Sequence, residues 1–421
     1  MRKALTVMVL LSAMILFSCG TTGPRSTGYI TPQKPVVTLG CERLLTEHFD
    51  LVKGMRVGLI TNATGVDSSL RSTIDLIHEC RDVEITALFG PEHGIRGSET
   101  GAVENSMDKK TGVPVYSLHG KHHRPTKEML ENVDVLVFDI QDNGSRSYTF
   151  ITTMARCMQS AAEFDKPFIV LDRPNPINGL VVDGPILEKG FESGIGIGPI
   201  AYVHGMTIGE LAGYFNNEED FNYGCDLEVV KMKGWKREMS WPDTGLIWVQ
   251  TSPHIPEPDS SLYYPITGIY GETPLVNIGV GYTLPFKMTG APWINGVDFC
   301  DALNAKKIPG VYFRSQYYRP YYYHFEKEMC EGCQIYVTDH RIFRPVETSY
   351  HIMAVLRKLY PDEFNFELEK TKHRLRMFDL ANGTDKVRKW LMQGKSAEEI
   401  IKWYQPGLDD FRKKREKYLL Y

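Results

Sequence analysis

The stretch VDVLVFDI at residues 133–140 decides the predicted fold. It is an apolar run of strand length, and similar runs lie at 56–61 (RVGLIT), 83–89 (VEITALF) and 167–171 (PFIVL). A strand that is apolar on both faces is typical of a parallel sheet that helices cover on both sides.

Helical patterns separate these runs. We predict helices over 42–53, 69–78, 148–163 and 207–215, and a helix that opens at Thr126. Shorter strands are predicted at 114–118 and 227–231. This alternation of strands and helices predicts an α/β fold with a mostly parallel sheet over residues 37–250.

The pattern changes near residue 241. Pro, Tyr and Trp become dense and helical periodicity fades until Val346, although 334–338 (QIYVT) alternates like a strand. Helices return at 348–359 and from Ala397. We therefore predict a second, smaller α+β domain over residues 251–421.

Composition narrows the class of protein. Hydrophobic residues make up 42% of the 421 residues and charged residues 24%, which is typical of a globular chain. The net charge is −4 and no strongly basic run occurs, so nucleic acid is not an expected partner.

The first 36 residues resemble an export segment. Arg2 and Lys3 precede an apolar run over 4–17 that is too short to span a bilayer, and Leu16-Phe17-Ser18-Cys19 resembles a lipobox. We predict a lipoprotein signal peptide over 1–19 with lipid on the Cys19 thiol, and a flexible tether over 20–36. The chain would then be anchored in the bacterial cell envelope, facing the periplasm or in the outer membrane. A plain secretory signal with a chance cysteine is the alternative.

Cysteine spacing offers one further possibility. Cys330 and Cys333 have the spacing of a tight disulfide. A metal site would need two more ligands at good spacing, and we expect no metal.

Four polar loops follow or adjoin the predicted strands. They are FGPEHGIRG (89–97), DIQDNGSRSY (139–148), LDRPNPING (171–179) and YVHGMT (202–207). Ligands of parallel sheets bind beyond the carboxyl ends of the strands, so these loops are expected to face one crevice. Singly, each has a structural explanation: Asp142 as a helix cap, Arg173 as an ion-pair partner of Asp172, or His204 as a core histidine.

Several chemistries lack their motifs here. The chain has no G-x-S-x-G elbow, no P-loop, and no G-x-G-x-x-G after its first strand. The remaining possibility is catalysis by carboxyl groups. Two carboxyl groups facing one crevice, such as Glu92 and Asp142, are what glycoside hydrolysis requires.

Several of these motifs resemble those of a known family. FGPEHGIRG, FDIQDNGSRSYTF (138–150), LDRPNPING and HGMTIGELA (204–212) are similar to motifs of the exo-β-N-acetylmuramidases, the NamZ-like family of peptidoglycan hexosaminidases. The resemblance covers about residues 37–421. It implies a Rossmann-like domain, a smaller second domain that closes a cleft, and release of terminal N-acetylmuramic acid from the non-reducing end of peptidoglycan fragments, without a cofactor.

The resemblance also implies roles for individual residues. Glu92 is the expected catalytic acid, with Asp142 and Tyr148 as the other catalytic candidates. The second group remains open: Asp142, another acid, or the acetamido oxygen of the substrate. The residues expected to bind the sugar are His93, Arg96, Gln141, Arg146, Arg173, Asn175 and His204.

The chain departs from the family pattern at four positions: Ser147, His254, Val280 and Lys287. Val280 stands where the family's turn has an arginine that would meet the lactyl carboxylate, which predicts an altered substrate choice. Two alternatives therefore stand beside the leading hypothesis. One is a lipoprotein that binds muropeptides without cleaving them, and the other is a hydrolase of another 2-acetamido sugar.

Overall fold

The computed structural model describes residues 35–96 and 104–421, so the predicted signal peptide, Cys19, Gly97 and nearly all of the tether lie outside the described residues. Within these ranges, seven strands form one large sheet in the order β3-β4-β2-β1-β5-β6-β7. The strands are β1 (Arg56–Thr61), β2 (Glu84–Gly90), β3 (Ser106–Met107), β4 (Pro114–Ser117), β5 (Val135–Asp139), β6 (Phe168–Leu171) and β7 (Leu227–Val230). Every neighbouring pair among the described strands of this sheet is parallel except β3 with β4.

Helices cover both faces of this sheet, as predicted for an α/β fold. They are α1 (Gly40–Thr46), α2 (Thr73–His78), α3 (Thr149–Glu163) and α4 (Ile208–Asn217). On β5, Val135 and Val137 pack into the core on the α1 and α2 side, whereas Leu136 and Phe138 pack into the core on the α3 and α4 side. This double burial explains why 133–140 is apolar without alternation.

Three predicted helices are shorter than expected. The helix predicted over 42–53 ends at Thr46 and is followed by a 3-10 turn, Phe49–Leu51. The helix predicted over 69–78 begins only at Thr73, because Leu70 adopts a left-handed φ of 65° and Ser72 caps the helix through Ile74 N. The helix predicted to open at Thr126 is a 3-10 turn, Glu128–Leu130.

A second, three-stranded antiparallel sheet follows in the described chain, in the order β8-β10-β9. Its strands are β8 (Met288–Ala291), β9 (Val311–Tyr318) and β10 (Cys330–Val337). The helices of this half are α5 (Ser260–Gly271), α6 (Gly296–Asn304), α7 (Pro345–Leu359), α8 (Leu375–Asn382), α9 (Lys386–Met392) and α10 (Ala397–Glu416). The predicted second α+β part of the fold is thereby confirmed.

The prediction that helices are lacking between 241 and 346 is wrong. Helices α5 and α6 both lie there. Ten of the twelve residues of α5 are buried and Pro265 lies inside it, so the helix has no polar face and no helical period for the sequence pattern to reveal.

Buried hydrogen bonds connect the two halves. The Asp183 carboxylate accepts hydrogen bonds from Val346 N (2.8 Å) and Glu347 N (3.2 Å), at the first turn of α7, and from the Tyr404 hydroxyl (3.1 Å) on α10. Residues 35–421 form one compact unit. The predicted domain boundary between 250 and 251 stays a prediction.

Cys330 and Cys333 do not form the tight disulfide that their spacing allows. Residues three apart on a strand point to opposite faces. Cys330 packs with Met288 and Tyr318 on one face of the small sheet, and Cys333 lies in the large core on the other. All seven cysteines of the described ranges are free thiols.

The described residues contain no helix that is long and apolar enough to cross a membrane. Among them there is also no group of three or more His, Cys, Asp or Glu side chains arranged to hold a metal ion.

Candidate active site

The polar loops meet at the carboxyl edge of the large sheet. The loop with Glu92 follows β2, the loop with Asp142 follows β5, and the loop with Arg173 follows β6. The segment with His204 joins them because Val203 forms bridges with both Ser145 and Asp183. The expected convergence on one edge is therefore present.

Glu92 lies on a tight turn directly after β2. Gly94 N donates to Pro91 O (3.0 Å), and His93 has a left-handed φ of 73°, which is uncommon for a residue with a side chain. Such strained positions cluster at functional sites. The Glu92 side chain is half-buried, and its Oε2 accepts a hydrogen bond from Thr149 Oγ1 (2.9 Å). Thr149 is the first residue of α3, so the carboxyl group lies at the N-terminal end of that helix.

Tyr148 lies beside this carboxylate. Burial raises the pKa of Tyr148 well above its usual value, and the charges of Asp142 and Glu92 raise it further. The Tyr148 hydroxyl donates to Thr251 Oγ1 (2.8 Å), a residue of the second half of the chain. Tyr148 therefore stays protonated at neutral pH and links the sheet edge to the opposite wall.

Asp142 and His204 form a second buried pair. His204 Nδ1 accepts from Met206 N (3.1 Å), which assigns the ring proton of the neutral imidazole to Nε2, 3.8 Å from Asp142 Oδ2. Asp142 Oδ2 also accepts from Gly144 N (2.7 Å). Asp142 Oδ1 and His204 Nε2 are buried and have no hydrogen-bond partner among the described residues. These two atoms are therefore available for hydrogen bonds to a ligand at this edge of the sheet.

Arg146 contacts the protein backbone, and its role in sugar binding stays a prediction. It is 1% exposed, and its guanidinium donates to three backbone carbonyl oxygens, those of Pro185 (2.7 Å), Ile200 (2.8 Å) and Ala381 (3.1 Å). Burial lowers the pKa of Arg146 to about 10. Its role is to hold three backbone segments together.

Arg173 and Asn175 also make scaffold contacts. Arg173 forms a buried ion pair with Asp139 (2.6 and 2.9 Å) and donates to Val66 O (2.8 Å). The partner of this arginine is therefore Asp139, not Asp172 as the sequence allowed. The Asn175 amide donates to Met206 O (2.9 Å) and accepts from Ile177 N (3.0 Å). These positions do not support their predicted contact with sugar.

Two further residues that were predicted to bind the sugar, Arg96 and Gln141, form hydrogen bonds within the protein. Arg96 is paired with Asp108 (2.8 and 3.0 Å) and is about one-third exposed. Gln141 donates through Nε2 to Asp142 O and Pro174 O, both at 2.8 Å, while its Oε1 is buried without a hydrogen-bond partner in the described part of the chain. Contact with substrate stays a prediction for both.

The opposite wall contains residues that the sequence did not single out as ligands. Thr251 contacts Tyr148, and Tyr322 forms a hydrogen bond of 3.0 Å with His254 Nε2. Burial lowers the pKa of His254, and the charge of His93 lowers it further. Thr149 lies inside the motif FDIQDNGSRSYTF, but its residue type alone did not mark it as a partner of Glu92, and Tyr322 lies in no motif.

Comparisons with known proteins agree with this architecture. The N-terminal model of the exo-β-N-acetylmuramidase NamZ matches residues 57–259, and the C-terminal model matches residues 262–421. The peptidoglycan β-N-acetylmuramidase NamZ of Bacillus subtilis (strain 168) is 44% identical over 426 residues, which cover 100% of both chains.

Two crystal structures of DUF1343 family proteins from Bacteroides fragilis NCTC 9343 are also similar. One has a TM-score of 0.89 and 45% identity, and the match covers 92% of this chain and 100% of that one. The other has a TM-score of 0.73 and 31% identity, with 91% and 99% covered.

Proposed function

Because the chain belongs to the family of NamZ exo-β-N-acetylmuramidases, we propose that it is a glycoside hydrolase that releases terminal N-acetylmuramic acid from the non-reducing end of peptidoglycan fragments, with Glu92 as the general acid. The observation that carries the assignment of the acid is the position of Glu92. Its carboxyl group is half-buried on a strained turn and is held by Thr149, the residue that follows Tyr148.

The proposed chemistry begins with a proton transfer. Glu92 donates its proton to the glycosidic oxygen as the bond to the leaving sugar breaks. The hydrogen bond from Thr149 holds the carboxyl group in one orientation, and such positioning makes a large contribution to rate.

Asp142 is the proposed second group. Its unpartnered Oδ1 is an acceptor for the proton of an attacking water or for the N–H of the 2-acetamido group, and Gly144 N donates to its other oxygen. In the first route Asp142 acts as a base. In the second the acetamido oxygen is the nucleophile and Asp142 orients it. NMR of the first-formed anomer separates the two, because attack by water inverts the anomeric carbon and the two-step acetamido route retains it.

The test of the proposed function is product identification. Purified protein is incubated with peptidoglycan fragments that end in N-acetylmuramic acid, and free N-acetylmuramic acid is detected by mass spectrometry. Glu92→Gln should lose most of the activity while remaining folded. Glu84→Gln is the matched control, because Glu84 is an exposed residue at the opposite end of the same strand.

Other outcomes favour the alternatives. Saturable binding with no product would favour a muropeptide-binding lipoprotein, and a product of different mass would favour a hydrolase of another 2-acetamido sugar. Normal turnover by Glu92→Gln would show that Glu92 is not the acid.

We also propose that Cys19 carries a lipid that anchors the chain in the bacterial cell envelope, facing the periplasm or in the outer membrane. The lipobox-like Leu16-Phe17-Ser18-Cys19 after a short apolar run supports this. Cys19→Ala should move the protein from the membrane fraction to the soluble fraction, whereas Cys80→Ala should leave it with the membranes. Equal fractionation of the two variants would contradict the anchor.

A further inference from the structure

The three departures from the family pattern in the second half of the chain differ in their surroundings. Val280 is buried, with 5% of its surface exposed. Lys287 is bound by two carboxylates, with Nζ 3.0 Å from Glu257 and 2.8 Å from Asp259. Neither side chain is available to a substrate. His254 is different, because it lies three residues after Thr251, which contacts Tyr148 at the candidate site.

The backbone brings His254 to the cleft. Thr251 binds the Tyr148 hydroxyl (2.8 Å), and the chain then turns tightly, with Ile255 N donating to Ser252 O (3.0 Å). His254 lies on this turn. Its Nε2 lies 3.0 Å from the Tyr322 hydroxyl, so the imidazole and the phenol form one polar edge next to the catalytic loop.

The tyrosine loop that follows β9 is held in one conformation. Tyr321 N donates to Gly281 O (2.7 Å), and Asn277 Nδ2 donates to His324 O (2.9 Å). Gly281 has a φ of 83°, and a Cβ there would overlap the carbonyl oxygen of Tyr322. The loop therefore presents its side chains without a large entropic cost on binding.

Two of those side chains are exposed although they are aromatic. Tyr321 is 69% exposed and Tyr322 is 51% exposed. The Tyr321 ring stacks on Tyr282, with centroids 6.2 Å apart and an interplanar angle of 18°. Contacts link His254 to Tyr322 and Tyr321 to Tyr282, and Tyr321 and Tyr322 are consecutive in the chain. We call these four residues the aromatic wall. It has one polar edge, an exposed apolar face and a fixed backbone.

We propose that the aromatic wall is the subsite for the sugar on the leaving-group side of the scissile bond. This inference rests on the proposed function. An exo-acting enzyme encloses one terminal sugar, so an open surface at the rim of the cleft meets the part of the glycan that stays outside. In peptidoglycan that neighbour is N-acetylglucosamine. The C–H face of its ring packs on the Tyr321 side chain, and its hydroxyl groups bond to His254 and Tyr322.

The test compares two substrates of one enzyme. Methyl β-N-acetylmuraminide has no sugar on the leaving-group side, whereas the N-acetylmuramyl-N-acetylglucosamine disaccharide has one. Tyr321→Ala and Tyr322→Ala should each lower the ratio of kcat/KM for the disaccharide to kcat/KM for the methyl glycoside by roughly tenfold. A ratio within twofold of the wild type in both variants would overturn the proposal.

Tyr312→Ala is the matched control. Tyr312 is 54% exposed and lies near the start of β9, at the far end of the strand from the tyrosine loop. In Tyr312→Ala, the ratio of kcat/KM for the disaccharide to kcat/KM for the methyl glycoside should stay within twofold of the wild-type ratio. Because each ratio is measured on one preparation, partial misfolding does not change it.

A binding measurement separates failure of the subsite from failure of the proposed function. If the wild type cleaves neither substrate, the proposed function fails, and saturation-transfer NMR with free N-acetylglucosamine then tests the aromatic wall alone. A signal with the wild type that is lost in the Tyr321→Ala/Tyr322→Ala double variant supports the wall. Equal signals from both proteins, or none from either, would overturn it.

Discussion

At the scale of the residue, one hydrogen bond determines how the candidate acid is presented. Thr149 Oγ1 donates to Glu92 Oε2 at 2.9 Å and holds the carboxyl group against the first turn of α3. A carboxyl group that rotates freely spends less time in line with a glycosidic oxygen, so this threonine is a positioning residue.

Removal of that hydroxyl should slow turnover. We expect Thr149→Val to lower kcat by roughly tenfold, which corresponds to the loss of about one hydrogen bond. Thr149→Ser should restore most of the rate. Thr153→Val is the control, because Thr153 Oγ1 bonds only to the backbone of the same helix, at Thr149 O. Full kcat in Thr149→Val would contradict the positioning role.

Thr149 is expected to affect turnover, whereas Arg146 is expected to affect the stability of the fold. Three carbonyl oxygens depend on its guanidinium, and the site is fully buried. We expect Arg146→Met to lower the free energy of unfolding by about 3 kcal/mol, because buried acceptors lose their donors. Arg71→Met removes only an exposed ion pair with Glu79 and should cost less than about 1 kcal/mol. Urea unfolding measures both. An unchanged stability with a raised KM in Arg146→Met would return this residue to the sugar site.

At the scale of the element, Asp172 connects the end of β6 to two other segments. Its carboxylate accepts from Thr207 Oγ1 (2.8 Å) and Gly209 N (2.8 Å) at the start of α4, and from the Tyr421 hydroxyl (2.6 Å) at the end of the chain. Burial raises the pKa of Asp172 to about 6, and Glu210 contributes in the same direction, although the hydrogen bonds oppose the shift.

This raised pKa predicts a pH dependence of stability. The folded-state value of about 6 exceeds the unfolded value of about 3.9, so the folded state binds the proton more tightly. The contribution of Asp172 to the free energy of unfolding is therefore present at low pH and is lost as pH rises through 6. Between pH 5 and pH 7 the wild type should lose about 1 kcal/mol from this group.

The comparison is between variants at the two pH values. Asp172→Asn should lack that loss, whereas Asp50→Asn, at an exposed position, should retain it. An identical change between pH 5 and pH 7 in the wild type and Asp172→Asn would contradict the assignment.

Local signals made some elements predictable. Thr207 was readable as a helix cap because the cap is formed within four residues: Thr207 Oγ1 accepts from Glu210 N (3.2 Å), and Glu210 Oε2 accepts from Thr207 N (3.0 Å). Strand β5 was readable because burial on both faces requires an unbroken apolar run. The loop that contains Glu92 was readable from its position after a strand, whereas the proposed acid role of Glu92 came from the family resemblance.

Other features depend on contacts that are distant in the sequence. The side chain of Arg146 points to carbonyl groups at 185, 200 and 381, and no pattern near residue 146 records them. The aromatic wall joins residues 254, 282 and 321–322 in the same way. The residue types were therefore enough to identify the loops of the site. The direction of each side chain could be read only from the folded structure.

At the scale of the whole molecule, the two halves share buried polar groups. Asp183 in the first half depends on Val346, Glu347 and Tyr404 for its hydrogen bonds, and Arg415 on α10 donates to Gly205 O (2.6 Å). Separation of the halves would leave these groups unsatisfied, at a cost of about 1–3 kcal/mol each.

We therefore expect the chain to unfold as one cooperative unit. Calorimetry of the intact protein should show a single transition, and a fragment of residues 35–250 should show no cooperative transition. A fragment that melted cooperatively within a few degrees of the intact protein would contradict this and would support an independent domain ending at residue 250.

The central claim is that Glu92 protonates the leaving oxygen, and the leaving-group dependence of Glu92→Gln tests it most directly. A sugar leaving group needs the proton, whereas 2,4-dinitrophenolate leaves without one. We predict that Glu92→Gln lowers kcat/KM for the N-acetylmuramyl-N-acetylglucosamine disaccharide by roughly a thousandfold, but lowers kcat/KM for 2,4-dinitrophenyl β-N-acetylmuraminide by less than about tenfold. Equal losses on both substrates, or no loss on the disaccharide, would contradict the claim.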